Sequence, residues 1–201
     1  DVVAGPLPVE TLDYLQADSA STPVHFIRGN AESELLRCVA GQPIGGLSEQ
    51  ANDEARWLAS YLPADYIQFL KSWPTTLIHE IGGQQVLFCH ATPRNDIDVF
   101  TSLAPEARLL PVFAGLEGSR VVCGHTHMPF ERLVGQVRVA NAGSVGMPFG
   151  HTGADWLLLD GAVHFRHTTY NLNAAAERIR RSDYPQAEAF AANNVLQAPT
   201  E

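Results

Sequence analysis

The stretch Arg120-Val121-Val122-Cys123-Gly124-His125-Thr126-His127 runs from an apolar core straight into a glycine and two histidines spaced i, i+2. After Arg120, the uninterrupted Val121-Val122-Cys123 run predicts a buried strand, and the glycine marks its end. Two imidazoles at i and i+2 beyond a strand tip suit a transition metal. Other donors sit in the same kind of place. Val24-His25-Phe26-Ile27 precedes Gly29-Asn30, and Val86-Leu87-Phe88-Cys89 precedes His90. Asp1 opens the chain ahead of Val2-Val3. Because α/β proteins gather ligands beyond the carboxyl ends of their strands, Asp1, Asn30, His90, His125 and His127 are expected to converge.

The rest of the chain divides into two patterns. In the first, residues 24–28 read as a strand and 32–39 as a short helix, followed by a Gly/Pro loop over 40–47. Ser48 is placed to cap a helix over 49–61, where Ala51, Ala55, Leu58 and Leu62 keep helical spacing. Pro63 stops that helix, and a second runs over 64–73. Segments 75–81 and 84–89 form a hairpin around Gly82-Gly83. Residues 105–116 are helical with a break near Pro111. After the decisive strand the pattern changes to strands over 131–134, 136–141, 155–159 and 162–167, read as an antiparallel meander. Amphipathic helices over 172–181 and 186–194 close the chain. Mixed βα units followed by hairpins predict an α/β fold with two sheets sandwiched between helices, in a single domain spanning 1–201.

With 201 residues, 45% hydrophobic and 17% charged, the chain can bury a substantial core. Its net charge is -9, Lys71 is its only lysine, and no basic stripe appears, which argues against general nucleic-acid binding. No apolar run approaches the roughly 18 residues needed to span a bilayer, and no signal-peptide pattern is present. Cys38, Cys89 and Cys123 are odd in number and lack C-x-x-C spacing, the pattern of free thiols in a reducing compartment. A cytoplasmic location is therefore expected.

An amide oxygen beside a carboxylate and several imidazoles points to a hard-to-borderline divalent ion: Mn²⁺, Fe²⁺, Ni²⁺ or Zn²⁺. A carboxylate can bridge two such ions about 3.5–4 Å apart, and the pair lowers the pKa of a bridging water while spreading positive charge over phosphate oxygens. Cys89 and Cys123 lie within apolar strand runs rather than in the loops beyond them, so thiolate ligation is disfavoured.

Five blocks now stand in order: Asp1 with Val2-Val3-Ala4-Gly5, Gly29-Asn30-Ala31-Glu32, Cys89-His90-Ala91-Thr92-Pro93, Gly124-His125-Thr126-His127, and Asn141-Ala142-Gly143-Ser144-Val145-Gly146. Together they resemble the calcineurin-like metallophosphoesterase superfamily, most closely its small prokaryotic phosphodiesterase branch, from Asp1 to about His167. The resemblance implies a four-layer αββα sandwich and metal-dependent phosphoesterase activity on a small phosphate ester, through a metal-bridging hydroxide. It also implies that Asp1 bridges two ions, that Asn30, His90 and His125 serve one of them, and that His127 serves the other. The family opens with a strand ending in Asp-x-His, which supplies further ligands and has no counterpart before Asp1. The first βαβ unit is thus expected in a longer gene product, and these 201 residues alone are expected to hold at most one ion tightly.

Where many members carry a histidine after Gly-Asn, this chain has Ala31, so the general acid is unassigned. Arg94 and His151 are candidates for substrate binding: Arg94 as a bidentate phosphate ligand, His151 as a loop residue at the pocket. Glu32 reads as a first-turn acid favoured by the helix dipole, and Asn141 with Gly143 as a tight turn behind the site. Two rival readings remain, a catalytically silent scaffold on the same fold and a mononuclear zinc protein.

Overall fold

The computed structural model describes residues 1–44, 48–116 and 118–200, so the last part of the expected 40–47 loop lies outside the described residues. At its centre is a mixed sheet of β1 (Thr76–Ile81), β2 (Gln84–Cys89), β3 (Arg120–Cys123), β4 (Phe130–Val134) and β5 (Val137–Asn141). Their spatial order is β1-β2-β3-β5-β4. The β1–β2 and β4–β5 hairpins flank β3, which runs parallel to both β2 and β5. Every residue of β3 is buried, Arg120 included, in keeping with the apolar Val121-Val122-Cys123 run.

This parallel core aligns strand ends. Phe88 pairs with Val122 and Cys123 with Asn141, so β2, β3 and β5 finish side by side. Beyond the ladder, Gly124 N–H donates to the His90 carbonyl and Ala142 N–H to the Cys123 carbonyl, each at 2.8 Å. The segments that follow all three strands are thereby held together.

A second, two-stranded sheet pairs β6 (Ala154–Leu159) with β7 (Val163–Thr168) antiparallel. The single meander expected from the sequence is therefore corrected: the first late hairpin joins the main sheet and the second stands apart. Turn chemistry specifies pairing within each hairpin but not between hairpins. The glycine-bearing connection from Asn141 to Ala154 separates the two. Arg120 bridges the sheets at their far end, donating from Nη2 to the Gly161 carbonyl at 3.3 Å.

Helices α1 (Pro8–Ser19), α2 (Asn30–Val39), α3 (Glu49–Tyr61) and α4 (Ala64–Lys71) share one core through Leu12, Leu35, Leu58, Leu70 and the neighbouring Trp73. Helix α5 (Glu106–Phe113) packs Leu109 and Phe113 against Val121 and Val139 of the sheet. At the carboxyl end, α6 (Leu172–Arg180) meets α7 (Ala187–Phe190) and the π-helical turn Ala191–Leu196 around Ala176, Ile179 and Val195. No described helix is long and apolar enough to cross a membrane.

Two local expectations change. Residues 24–28 are not part of a ladder; among their backbone groups the Arg28 N–H donates to the Pro74 carbonyl at 2.8 Å, and one such bond does not make a strand. Helix α1 was not foreseen, because it buries only Pro8 and Leu12 and so carries little periodic signal. Its readable cue was Pro8 in the first turn followed by Glu10.

The start of α2 carries more than a dipole effect. Gly29 is its N-cap, and Glu32, fully buried, accepts from the Gly29 N–H at 2.9 Å as in a capping box. The same carboxylate accepts from the Val2 and Val3 N–H groups at 2.6 and 3.1 Å, stitching the first residues of the chain to the helix. Burial pushes this carboxyl up, while the backbone N–H groups of Gly29, Val3 and Val2 pull it down. Truncating Glu32 strands three N–H groups. Glu32→Ala should cost about 3 kcal/mol or more in a urea unfolding titration, and a loss within the ~0.5 kcal/mol of a surface substitution would refute the clamp.

Candidate metal centre

Because Gly29 takes the cap, the Asn30 side chain is free of that duty and faces His90. His90 Nε2 lies 2.8 Å from Asn30 Oδ1, 3.1 Å from Asp1 Oδ2 and 3.1 Å from His125 Nδ1. A single ring nitrogen has either one proton or one lone pair to offer. No placement of protons turns all three contacts into hydrogen bonds, whereas a cation among them satisfies all the donors at once. Asp1, His90 and His125 each offer a ligand atom within 4.8 Å of the others. The other Asp1 oxygen, Oδ1, is held by the Ala31 N–H at 2.9 Å, which fixes the carboxylate against α2.

Close approach explains Gly29. A Cβ there would collide with the Asp1 carboxylate and stand 2.7 Å from His90 Nδ1. The histidines of the Gly124–His127 segment show backbone strain instead. His125 and His127 have φ of 65° and 60°, the left-handed region that non-glycine residues rarely enter. Such strain persists where surrounding structure imposes it, and it collects at functional sites. Here Asn141 imposes it. Fully buried at the end of β5, Asn141 donates to the Gly124 carbonyl and to Thr126 Oγ1 (3.0 Å), while its own Oδ1 accepts from Gly143 N–H at 2.9 Å. It thus forms the turn behind the site that the sequence suggested.

Electrostatics keep the imidazoles neutral. Burial lowers His90 to about 4, against the opposing pull of Glu32 and Asp96. Burial and the neighbouring rings of His90 and His127 likewise lower His125 to about 4. His127 is lowered too, first by burial and then by His90. Neutral rings at physiological pH keep lone pairs available for a metal. Asp96, held by Ser33 Oγ at 2.5 Å, was not singled out in the sequence, since it sits in a loop without a motif.

His90, His125 and His127 open onto one cavity of about 620 Å³. Its wall is largely apolar, with Leu7, Leu15, Met147, Ile179 and Phe190 prominent, and among the described residues no lysine or arginine lines it. Arg94 donates instead to the Pro111 carbonyl at α5, and His151 lies against Asp155 and His167. Neither borders that cavity among the described residues.

A model of the calcineurin-like phosphoesterase superfamily domain matches residues 2–162. The chain belongs to that superfamily. The fold agrees: a hypothetical protein from Pyrococcus horikoshii OT3 superposes with a TM-score of 0.79 at 16% identity, covering 94% of this chain and 80% of its own. A metallophosphoesterase from Sphaerobacter thermophilus superposes with a TM-score of 0.71 at 19% identity, covering 95% and 84%. No curated protein matches the chain. Membership supports a metal-dependent phosphoric ester hydrolase acting on a small molecule, and the clustered donors of this phosphoesterase domain fit that dependence.

Strain at the histidines gives the phosphoesterase domain a measurable signature. At φ near +60° a Cβ costs about 1–2 kcal/mol. His127→Gly should therefore be more stable than His127→Ala by about 1 kcal/mol in metal-free urea titrations, the reverse of their usual order. Equal stabilities would show that the segment relaxes.

Proposed function

We propose that this domain hydrolyses small phosphodiesters, with Asp1, Asn30, His90 and His125 holding one divalent ion tightly and His127, sharing Asp1, holding a second more weakly. The observation that carries the reading is the convergence of three donor atoms on His90 Nε2 at 2.8–3.1 Å, a set that no protonation pattern satisfies alone. When bound, borderline ions supply Lewis acidity toward phosphate oxygens and acidify water at neutral pH. Mn²⁺, Fe²⁺, Ni²⁺ and Zn²⁺ all suit the donor set.

The chain's own residues do the rest. Neutral His90 and His125 present lone pairs rather than repelling a cation. Asn141, bonded to Gly124 and Thr126, holds the Gly124–His127 turn in a strained shape that orients both histidines. The apolar wall accepts the organic part of an ester and keeps bulk water off it. With no lysine or arginine lining the cavity among the described residues, the phosphate charge is left to the ions. One specific observation favours the mononuclear rival: His127 lies outside the close Asp1–His90–His125 group. Metal counting on the purified protein separates the two readings.

A panel of phosphomonoesters, phosphodiesters and cyclic nucleotides with added Mn²⁺ tests the activity. His125→Ala should abolish turnover and lower metal occupancy. His164→Ala should leave turnover within tenfold, about 1.4 kcal/mol, since His164 sits on β7 paired with the exposed Asp160 at 3.0 Å. Full activity in His125→Ala under limiting metal would sink the assignment.

Ala31 leaves no imidazole after Asn30 to protonate a leaving group. Nitrophenyl esters should then be cleaved far faster than alkyl esters, by roughly the 10²–10⁴-fold that general acid catalysis contributes. Equal rates, with chemistry limiting, would mean that another residue supplies the proton.

A further inference from the structure

A second cluster stands apart from the strand-end donors and shares no residue with them. Asp155 on β6 is only 5% exposed, and one of its oxygens, Oδ1, takes both His151 Nε2 at 3.0 Å and His167 Nδ1 at 2.9 Å. The other oxygen, Oδ2, is buried with no hydrogen-bond partner. No lysine or arginine pairs with this carboxylate among the described residues; its partners are the two imidazoles. We propose that His151, Asp155 and His167 form a separate site for one borderline transition-metal ion such as Zn²⁺.

The chemistry favours an ion over a purely hydrogen-bonded cluster. A buried carboxylate is costly unless charge-paired and fully bonded, yet here half of its acceptor capacity is unused. Two ring nitrogens and one carboxylate oxygen, all within 4.8 Å of one another, match the two-histidine, one-carboxylate set that zinc takes with water in the open position. Both rings are partly exposed, at 48% and 36%, so that position faces solvent. Two nitrogen donors disfavour Mg²⁺ and Ca²⁺, which prefer oxygen.

The backbone is arranged to fit. Asp155 and His167 are direct cross-strand partners in the β6–β7 register, so their side chains share a face. Gly153 makes room: with φ at 121°, a Cβ there would collide with the His167 ring. All three donors lie within residues 151–167, so a short loop closes the site at little entropic cost. His151 and Asp155 lie within the 2–162 stretch matched by the superfamily model, and His167 lies just beyond it. The Asp155 N–H also donates to the Ser144 carbonyl at 2.9 Å, and Ser144 lines the large cavity. An ion here pins the second sheet to the loop that walls the first site.

The test does not depend on the phosphoesterase reading. A His90→Ala/His125→Ala variant, stripped of the main donors, is titrated with Zn²⁺ and separately with Co²⁺. It should bind one ion per chain and give the visible bands of a Co²⁺ site with nitrogen donors. Adding Asp155→Asn, whose amide oxygen still accepts from both rings, should leave the circular dichroism unchanged. It should weaken binding by at least the roughly tenfold that loss of even an indirect metal partner costs; His167→Ala should do the same. No ion bound by the parent variant, or unchanged affinity after Asp155→Asn, overturns the proposal. If the double variant does not fold, Asp155→Asn in the otherwise unaltered chain decides: one ion fewer supports the site, an equal count overturns it.

Discussion

A fully buried carboxylate, that of Glu32, holds together the two pieces of chain on which the main site depends. It accepts from Val2 and Val3 on one side and from Gly29 on the other, so the segment carrying Asp1 and the turn carrying Asn30 cannot move independently. That coupling lets Asp1 lie against the start of α2, with Ala31 N–H fixing one carboxylate oxygen and the other turned to His90. Gly29 completes the arrangement by having no Cβ where Asp1 and His90 must approach. Asn141 does the corresponding work on the opposite side, where it holds the two strained histidines.

Much of this was legible in the sequence, and for a physical reason. The apolar runs ending at Cys89 and Cys123 announce buried strands, and a donor just past a buried strand has few places to go. Helix α3 was readable to the residue because Ser48 caps it and Pro63 stops it. What the sequence did not disclose depends on partners distant along the chain. The extended 24–28 segment looks like a strand until one asks what it pairs with. The late hairpins look like one meander because local turn signals are silent about which sheet each hairpin joins. Glu32 reads as a helix-dipole residue from its neighbours alone, although its role is set by Val2 and Val3, 30 and 29 positions earlier.

The two donor clusters differ in how the fold builds them. The His151–Asp155–His167 group is local, assembled by one hairpin and its preceding loop. The group around His90 is assembled by sequence separations of 60 to Asn30 and 35 to His125, with Asp1 30 residues from its Ala31 anchor.

That difference bears on the order of events as the chain folds. Contacts across such separations pay their loop-closure entropy before they are rewarded. The His90 pocket is complete only once β2, β3 and β5 lie side by side. An ion held there stabilises an arrangement absent from earlier states. It should slow unfolding without hastening folding, because interactions missing from the transition state act on the escape rate alone. Loading of that centre would then act as a lock on the finished molecule rather than as a nucleus for its formation.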